Sequence, residues 1–164
     1  MARQPECGFT LMELLLVIML VALSASMISL VSPESGSRLA RYEGRQLQDL
    51  LQSLRHEAVL NFSDYGLRIE PASYSVMHLD EQGQWQPDQR FRLHNLPHLM
   101  RFRLELNEAG SSLGNHEVAS GVPHILLLSS DEISAFTLWI EQDNKALLSL
   151  SSDGIEDAEL ELLN

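Results

Sequence analysis

Gly8-Phe9-Thr10-Leu11-Met12-Glu13-Leu14 marks the point where a short polar start, MARQPECG, gives way to a long apolar stretch. From Phe9 to Val31 the chain runs for 23 residues, and Glu13 is the only charged one. About 20 apolar residues in a helix span a hydrocarbon core. Phe9–Val31 therefore reads as a membrane helix with a single acid near its outer end. A secretory signal peptide is the alternative, and Ala25-Ser26 could mimic its cleavage site. Such a peptide has a basic start and an apolar region of about 7–15 residues. Here the run is longer and Arg3 is offset by Glu6. A plain signal anchor leaves Glu13 without a purpose.

The acid is the informative residue. A charged side chain at the centre of a membrane helix costs about 3 kcal/mol on insertion scales, and less near the interface. The simplest reading places Glu13 among the headgroups. A sharper one begins with a cut between Gly8 and Phe9, which would give Phe9 a cationic α-amino group. Glu13 follows four residues later, one helical turn away on the same face. It also lies near the positive end of the helix dipole. If the amine belongs to another subunit, the same attraction sets the register between helices.

Those seven residues resemble the prepilin N-terminal motif, in which Gly precedes Phe-Thr-Leu-x-Glu and an apolar helix follows. The resemblance implies that a membrane-embedded prepilin peptidase cuts after Gly8 and N-methylates Phe9. It implies that Glu13 pairs with the Phe9 amine of a neighbour in a filament, and that Leu14 to Leu23 pack the filament core. Residues 1–8 would be a removed leader, residues 9–31 the transmembrane and assembly helix.

Ser32-Pro33-Glu34-Ser35-Gly36-Ser37 interrupts the apolar run. Proline removes a backbone donor and clashes with the preceding turn, so a kink or short break is expected here. The same residues read as a fresh helix start, with Ser as cap and Pro at the first position. Helix then continues to Asn61. Leu47, Leu50, Leu51, Leu54 and Ala58 share one face, expected to pack on the outer domain. Arg38, Arg41, Glu43, Arg45, Asp49, Arg55 and Glu57 are expected on the remainder, solvated. The three arginines from 38 to 45 could also meet anionic headgroups or acidic neighbours. As one rod, Phe9–Asn61 would reach about 80 Å, with all but the membrane part projecting as a stalk.

From Tyr65 the apolar period changes to two. Gly66–Glu70, Tyr74–Leu79, Arg90–Leu93 and Arg101–Leu106 alternate and predict strands with one buried face. Pro71-Ala72, Asp80–Gly83 and Asn95–Pro97 have turn chemistry. Asn107–Val122 has no periodicity and predicts a long loop, either mobile or a contact site. Ile125–Leu128 is a continuous apolar run that suits a central strand. Phe136–Glu141 and Ala146–Ser151 flank a hairpin turn at 142–145, and Ile155–Leu162 suits a last acidic strand. Residues 62–164 thus form one β-rich domain. The class is α+β: a long N-terminal membrane-spanning helix packed on an antiparallel sheet, the pilin-like architecture.

The net charge is −12, unevenly placed. Residues 1–103 hold ten Arg and eleven acids; residues 104–164 hold one Lys and twelve acids. The acidic part repels phosphate backbones, so no nucleic-acid partner is expected there. Cys7 is the only cysteine and falls in the expected leader, before the apolar run, where a lipoprotein cysteine would follow it. A mature chain without cysteine says nothing about redox compartment.

Chemistry-bearing motifs are missing. His56, His78, His94, His98, His116 and His124 are scattered. His94 and His98 are four apart, but Pro97 intervenes and no third ligand is near, so neither a metal nor a cofactor is expected. No phosphate loop, nucleophile elbow or HExxH is present. Asn61-Phe62-Ser63 matches a glycosylation sequon at what reads as a packed helix end, and is discounted. The chain reads as a structural subunit with no enzymatic activity.

Leu54-Arg55-His56-Glu57-Ala58-Val59-Leu60 before Tyr65-Gly66-Leu67-Arg68 resembles the general secretion pathway protein H family. So do Gly83-Gln84-Trp85-Gln86 and Ile125-Leu126-Leu127-Leu128-Ser129-Ser130-Asp131-Glu132 before Phe136. In that family Gly-Glu often follows the last apolar run; Asp131 stands here in place of Gly. The resemblance implies a minor pseudopilin of the type II secretion pseudopilus. Its implied partners are other minor pseudopilins of the tip complex, the major pseudopilin of the shaft, the prepilin peptidase, the inner-membrane assembly platform and membrane lipid. It implies a single-pass inner-membrane location with the globular domain in the periplasm. A minor pilin of type IV pili, in pilus assembly or DNA uptake, is a rival; five acids and no base in Ser151–Asn164 disfavour DNA uptake. A membrane-anchored binding module that never assembles is the other.

Overall fold

A computed structural model describes residues 11–28, 33–106 and 121–163, in two compact units, residues 1–35 and residues 36–164. In the first, helix α1 (Leu11–Ile28) has 18 residues, with Glu13 in its first turn. At 1.5 Å per residue they reach about 27 Å, against about 30 Å of hydrocarbon. Among the described residues no helix is long and apolar enough to cross a membrane. The expected span, residues 9–31, extends past the described part of α1 at both ends. Of the interruption expected at Ser32–Ser37, Ser32 lies outside the described residues and residues 33–37 are helical.

Helix α2 (Pro33–Asn61) opens on proline, which can occupy a first helical position because its missing N–H would have no partner there. Its apolar stripe is the expected one: Leu47, Leu51, Leu54 and Ala58 are buried, and Ala40 extends the stripe by two turns, while Leu50 is partly covered at its margin. Each fully buried Leu contributes about 2–3 kcal/mol relative to exposure. Three residues depart from the solvated face expected of them. Glu57 is partly buried and paired with Arg90. Glu43 lies on the margin of the buried face and is 7 % exposed, and Arg55 is half-buried.

Two antiparallel sheets form the rest of this unit. The first is built from β1 (Tyr65–Glu70), β2 (Ser73–Leu79), β3 (Trp85–Pro87), β4 (His94–Asn95) and β6 (Ile125–Leu127). Its order is β3-β2-β1-β6, with β4 also on β2. The second contains β5 (Met100–Leu106), β7 (Phe136–Gln142), β8 (Lys145–Ser152) and β9 (Glu159–Leu162), in the order β5-β7-β8-β9. Inner-face residues of both, including Leu67, Val76, Ile125, Leu127, Phe136, Leu138, Ile140, Leu148 and Leu150, join the α2 stripe in one core. Helix and sheet approach closely at Gly44, where a Cβ would come within 2.9 Å of both Leu148 methyls.

Period-two alternation in β5 is met residue by residue: Met100 and Phe102 are buried, and Arg101, Arg103 and Glu105 exposed. The β7–β8 hairpin turns through Asp143 and Asn144, both at positive φ (51° and 64°), the type I′ geometry that follows strand twist.

Elsewhere the alternation misled. Arg90–Leu93 is not a strand. Phe91 N–H donates to Asp88 O in a turn, and Arg90 is held by the Asp88 carboxylate of that turn and the Tyr65 hydroxyl of β1. Asn95 belongs to β4, and the turn comes later, where Met100 N–H donates to Pro97 O. Strand β6 ends its sheet instead of lying centrally; its Ile125 and Leu127 are buried but Leu126 is half-covered. The last strand begins at Glu159, because residues 153–158 are a loop tied to α2. Residues 107–120 of the expected loop lie outside the described residues.

Candidate assembly site

Helix α1 is apolar on every side. From Leu11 to Val21 each large apolar side chain is exposed, the least at Val17 with 47 %. An apolar surface this continuous calls for lipid or other helices. Glu13 is the one acid on it, in the turn where the helix dipole favours negative charge. Gly8 and Phe9, the expected cleavage and methylation positions, lie outside the described residues, as does Cys7.

The second unit contains ion pairs that fix its loops to α2. The Arg55 guanidinium donates through Nε to Asp131 Oδ1 (2.8 Å), through Nη1 to Asp157 Oδ1 (3.1 Å), and through Nη2 to the carbonyls of Asp131 (2.8 Å) and Ile155 (2.6 Å). One side chain thus joins α2 to the 128–132 turn and the 153–158 loop. Arg90 ties the 88–91 turn to the same C-terminal part of α2, pairing with Glu57 and Asp88 and donating to the Tyr65 hydroxyl at 3.0 Å. Its hydrogen bonds hold the Asp88 carboxyl below the usual carboxylate range.

Glu43 is buried against His94, with Oε2 to Nε2 at 2.7 Å, and the His94 ring stacks on Tyr74 at 4.8 Å between centroids. Burial, with the Glu43 charge second, pushes the Tyr74 hydroxyl up to about 12. On the second sheet Glu141 lies between Arg103 (2.6 Å) and Arg101 (3.2 Å), and Arg103 stacks over Trp139 at 3.7 Å.

Of the scattered histidines, His94 is thus engaged by Glu43, and His98 is exposed in the 97–100 turn. His124 accepts the Ile69 N–H through Nδ1 at 3.0 Å, and burial lowers its proton affinity. His116 lies outside the described residues. Asn61 and Phe62, expected at a packed helix end, are exposed. Sequence reading missed the roles of Glu43 and Arg55 because a charge beside an apolar stripe looks solvated until its partner, 51 or 76 residues away, is placed.

Residues 3–29 match the prokaryotic N-terminal methylation motif. Type II secretion system protein H of Pseudomonas aeruginosa is 37 % identical over 159 residues, covering 90 % of this chain and 91 % of that protein. The chain belongs to the type II secretion system protein H family. The family protein of Pectobacterium carotovorum is 28 % identical, covering 89 % of this chain and 87 % of that one. Two solved structures share the protein H fold. The crystal structure of the minor pseudopilin EpsH from the type II secretion system of Vibrio cholerae superposes with a TM-score of 0.61 at 23 % identity, covering 77 % of this chain and 94 % of that one. The solution structure of Escherichia coli GspH gives 0.63 at 16 %, covering 77 % and 90 %. The α+β pilin-like fold expected from the sequence is therefore the fold of this chain.

Proposed function

We propose that the chain is a minor pseudopilin that links the tip of a type II secretion pseudopilus to its shaft, and that it works by assembly, not catalysis. The observation that carries this reading is the all-round apolar surface of α1 with Glu13 in its first turn, in a chain 37 % identical to a type II secretion system protein H. A prepilin peptidase removes Met1–Gly8 and methylates the Phe9 amine. In the inner membrane the helix rests in lipid, with the globular unit in the periplasm. On assembly its lipid contacts are exchanged for helices of the major pseudopilin and of other minor pseudopilins at the tip, and Glu13 meets the Phe9 amine of a neighbour. That attraction favours one axial register among many apolar ones, because an ion pair in low dielectric is strongly dependent on distance.

Mass spectrometry of the mature N-terminus, with and without the prepilin peptidase, tests the first step. The expected product lacks Met1–Gly8 and carries one methyl on Phe9. An intact N-terminus would instead support an anchored module that never assembles. Glu13→Ala is expected to leave the outer unit folded and abolish incorporation; normal incorporation of this variant removes Glu13 from the mechanism.

A further inference from the structure

Arg55, Arg68, Arg90, Arg101 and Arg103 are each held in an ion pair. Arg38, Arg41 and Arg45 make none among the described residues, and all three are exposed. Spacings of three and four put them on one stripe of α2, on the side away from the buried Ala40, Leu47, Leu51 and Leu54. Tyr42 lies within the stripe at 59 % exposure, its hydroxyl accepting from Gln46 Nε2 at 2.7 Å, and Leu39 flanks it at 43 %. Glu34 and Asp49 stand one turn before and one turn after the three arginines, so the basic surface is confined to the first part of α2.

Chain length alone keeps this stripe near the apolar segment. Val31 ends that segment and Arg38 follows seven residues later, a reach of at most about 25 Å for a fully extended chain. The remainder of the outer unit has the opposite charge. Residues 104–164 hold one Lys and twelve acids, and Glu105, Glu159 and Glu161 are exposed on the outward rows of the second sheet. An anionic surface therefore attracts one face of the unit and repels the rest. Tyr42 and Leu39 add what a purely ionic contact would not need. An aromatic ring with a polar tip and a lone aliphatic side chain, set among arginines, suit the boundary between headgroups and hydrocarbon.

We propose that, before assembly, the Arg38–Arg41–Tyr42–Arg45 stripe docks on anionic phospholipid headgroups of the membrane that holds α1. This docking rests on α1 being the membrane anchor, and it adds the class of lipid that the outer unit selects. Guanidinium groups meet phosphate oxygens through paired, charge-assisted hydrogen bonds. Each basic side chain at an anionic surface strengthens binding roughly fivefold, so three do so roughly a hundredfold. Exposed ionic contacts of this kind are weak and screened by salt, and anchoring supplies the local concentration that makes them effective. The docked chain turns its acidic sheet away from the bilayer and keeps the stripe covered. Entry into a filament must then release the headgroups, so the docked form is a waiting state of a subunit held in reserve.

The full chain, with Cys7→Ser and Gln46→Cys, can be labelled at residue 46 with a fluorophore and reconstituted in liposomes. Gln46 is exposed beside Arg45, and spin-labelled lipid headgroups quench a fluorophore there only when the stripe reaches them. Quenching is expected in phosphatidylcholine liposomes that contain phosphatidylglycerol and not in phosphatidylcholine alone. Salt at about 0.5 M should release most of it. Arg38→Gln/Arg41→Gln/Arg45→Gln should lower the ratio of docked to free stripe roughly a hundredfold, with an unchanged circular dichroism spectrum. Arg38→Lys/Arg41→Lys/Arg45→Lys should keep most of the quenching. Equal quenching with and without phosphatidylglycerol, or quenching that survives the glutamine replacements, would overturn the proposal. So would a stripe that stays free on phosphatidylglycerol but is occupied by added polyglutamate, the mark of an acidic protein partner. Extraction of the chain from liposomes by alkali would remove anchor and docking together. A chain that stays anchored with residue 46 unquenched removes the docking alone.

Discussion

Arg55 grips Asp131 at two points, its carboxylate and its own backbone carbonyl, both at 2.8 Å. Asp131 has φ of 73°, the left-handed region that favours glycine. The aspartate accepts backbone strain of about 1 kcal/mol and gains a charged partner for it. Asp131→Gly should therefore be nearly neutral, since strain and ion pair are lost together. Asp131→Ala keeps the strain and loses the pair, and should cost about 1–2 kcal/mol in urea unfolding. Arg55→Ala, which strands four acceptors, should cost about 2 kcal/mol, and Arg55→Lys about half of that.

Gly66→Ala tests a close approach. A Cβ there would lie 2.5 Å from both Cβ and Cγ of Pro123 and 3.2 Å from the Ile125 carbonyl. Backbone on both sides is paired, to Met77 and Leu126, so neither strand yields easily. A loss of about 1–3 kcal/mol is expected, read as a lower melting temperature.

Phe62→Gly should act in the opposite sense. Phe62 follows the last turn of α2 at φ 50°, and Ser63 N–H donates to Ala58 O at 3.1 Å in a six-to-one helix cap. The ring is 87 % exposed, so its removal forfeits almost no burial. Relief of strain, reduced by the extra freedom of unfolded glycine, should raise stability by about 0.5–1 kcal/mol. The urea midpoint should rise with its slope unchanged.

Acid should unfold the outer unit partly through Glu141 and Asp88. Hydrogen bonds from Arg103, with Arg101 second, hold the Glu141 carboxyl below its usual range, and Arg90 does so for Asp88. A carboxyl whose pKa is depressed by folding stabilises fully above its unfolded value, about 4. That contribution is lost as pH falls through the lower native value. The contribution of these two carboxyls should be flat above about pH 5 and decline below about pH 4, beside a separate loss below about pH 6.5, where His124 takes up a proton more readily unfolded than buried. Arg103→Gln should lower the plateau by about 1 kcal/mol, since Arg103 is half exposed, and make the decline shallower. Urea unfolding across a pH series checks both.

How much of this was legible depended on how local each signal was. The Gly8–Leu14 motif and the α2 stripe are local patterns, and the hairpin at Asp143-Asn144 is a two-residue one. All can be read without knowing what lies across from them. Arg90-Phe91-Arg92-Leu93 has the same local pattern as Arg101-Phe102-Arg103-Leu104, and only the second is a strand. What separates them is the commitment of Arg90 to Glu57 and Tyr65, 33 and 25 residues earlier. The division into two sheets and the burial of Glu43 against His94 likewise depend on pairings distant in sequence. Nothing in the local pattern encodes them.

Strand β1 has two neighbours, and they arrive at different times. Its hairpin partner β2 follows at once, but β6 pairs Leu127 with Tyr65, about sixty residues later. All of the second sheet except β5 comes after β6. A chain delivered N-terminus first must hold the apolar stripe of α2 uncovered until nearly its last residues emerge. Closing so wide a loop is slow compared with forming a helix or hairpin. The outer unit thus has an obligatory interval, after insertion and before closure, in which it is vulnerable to proteases and to holding factors.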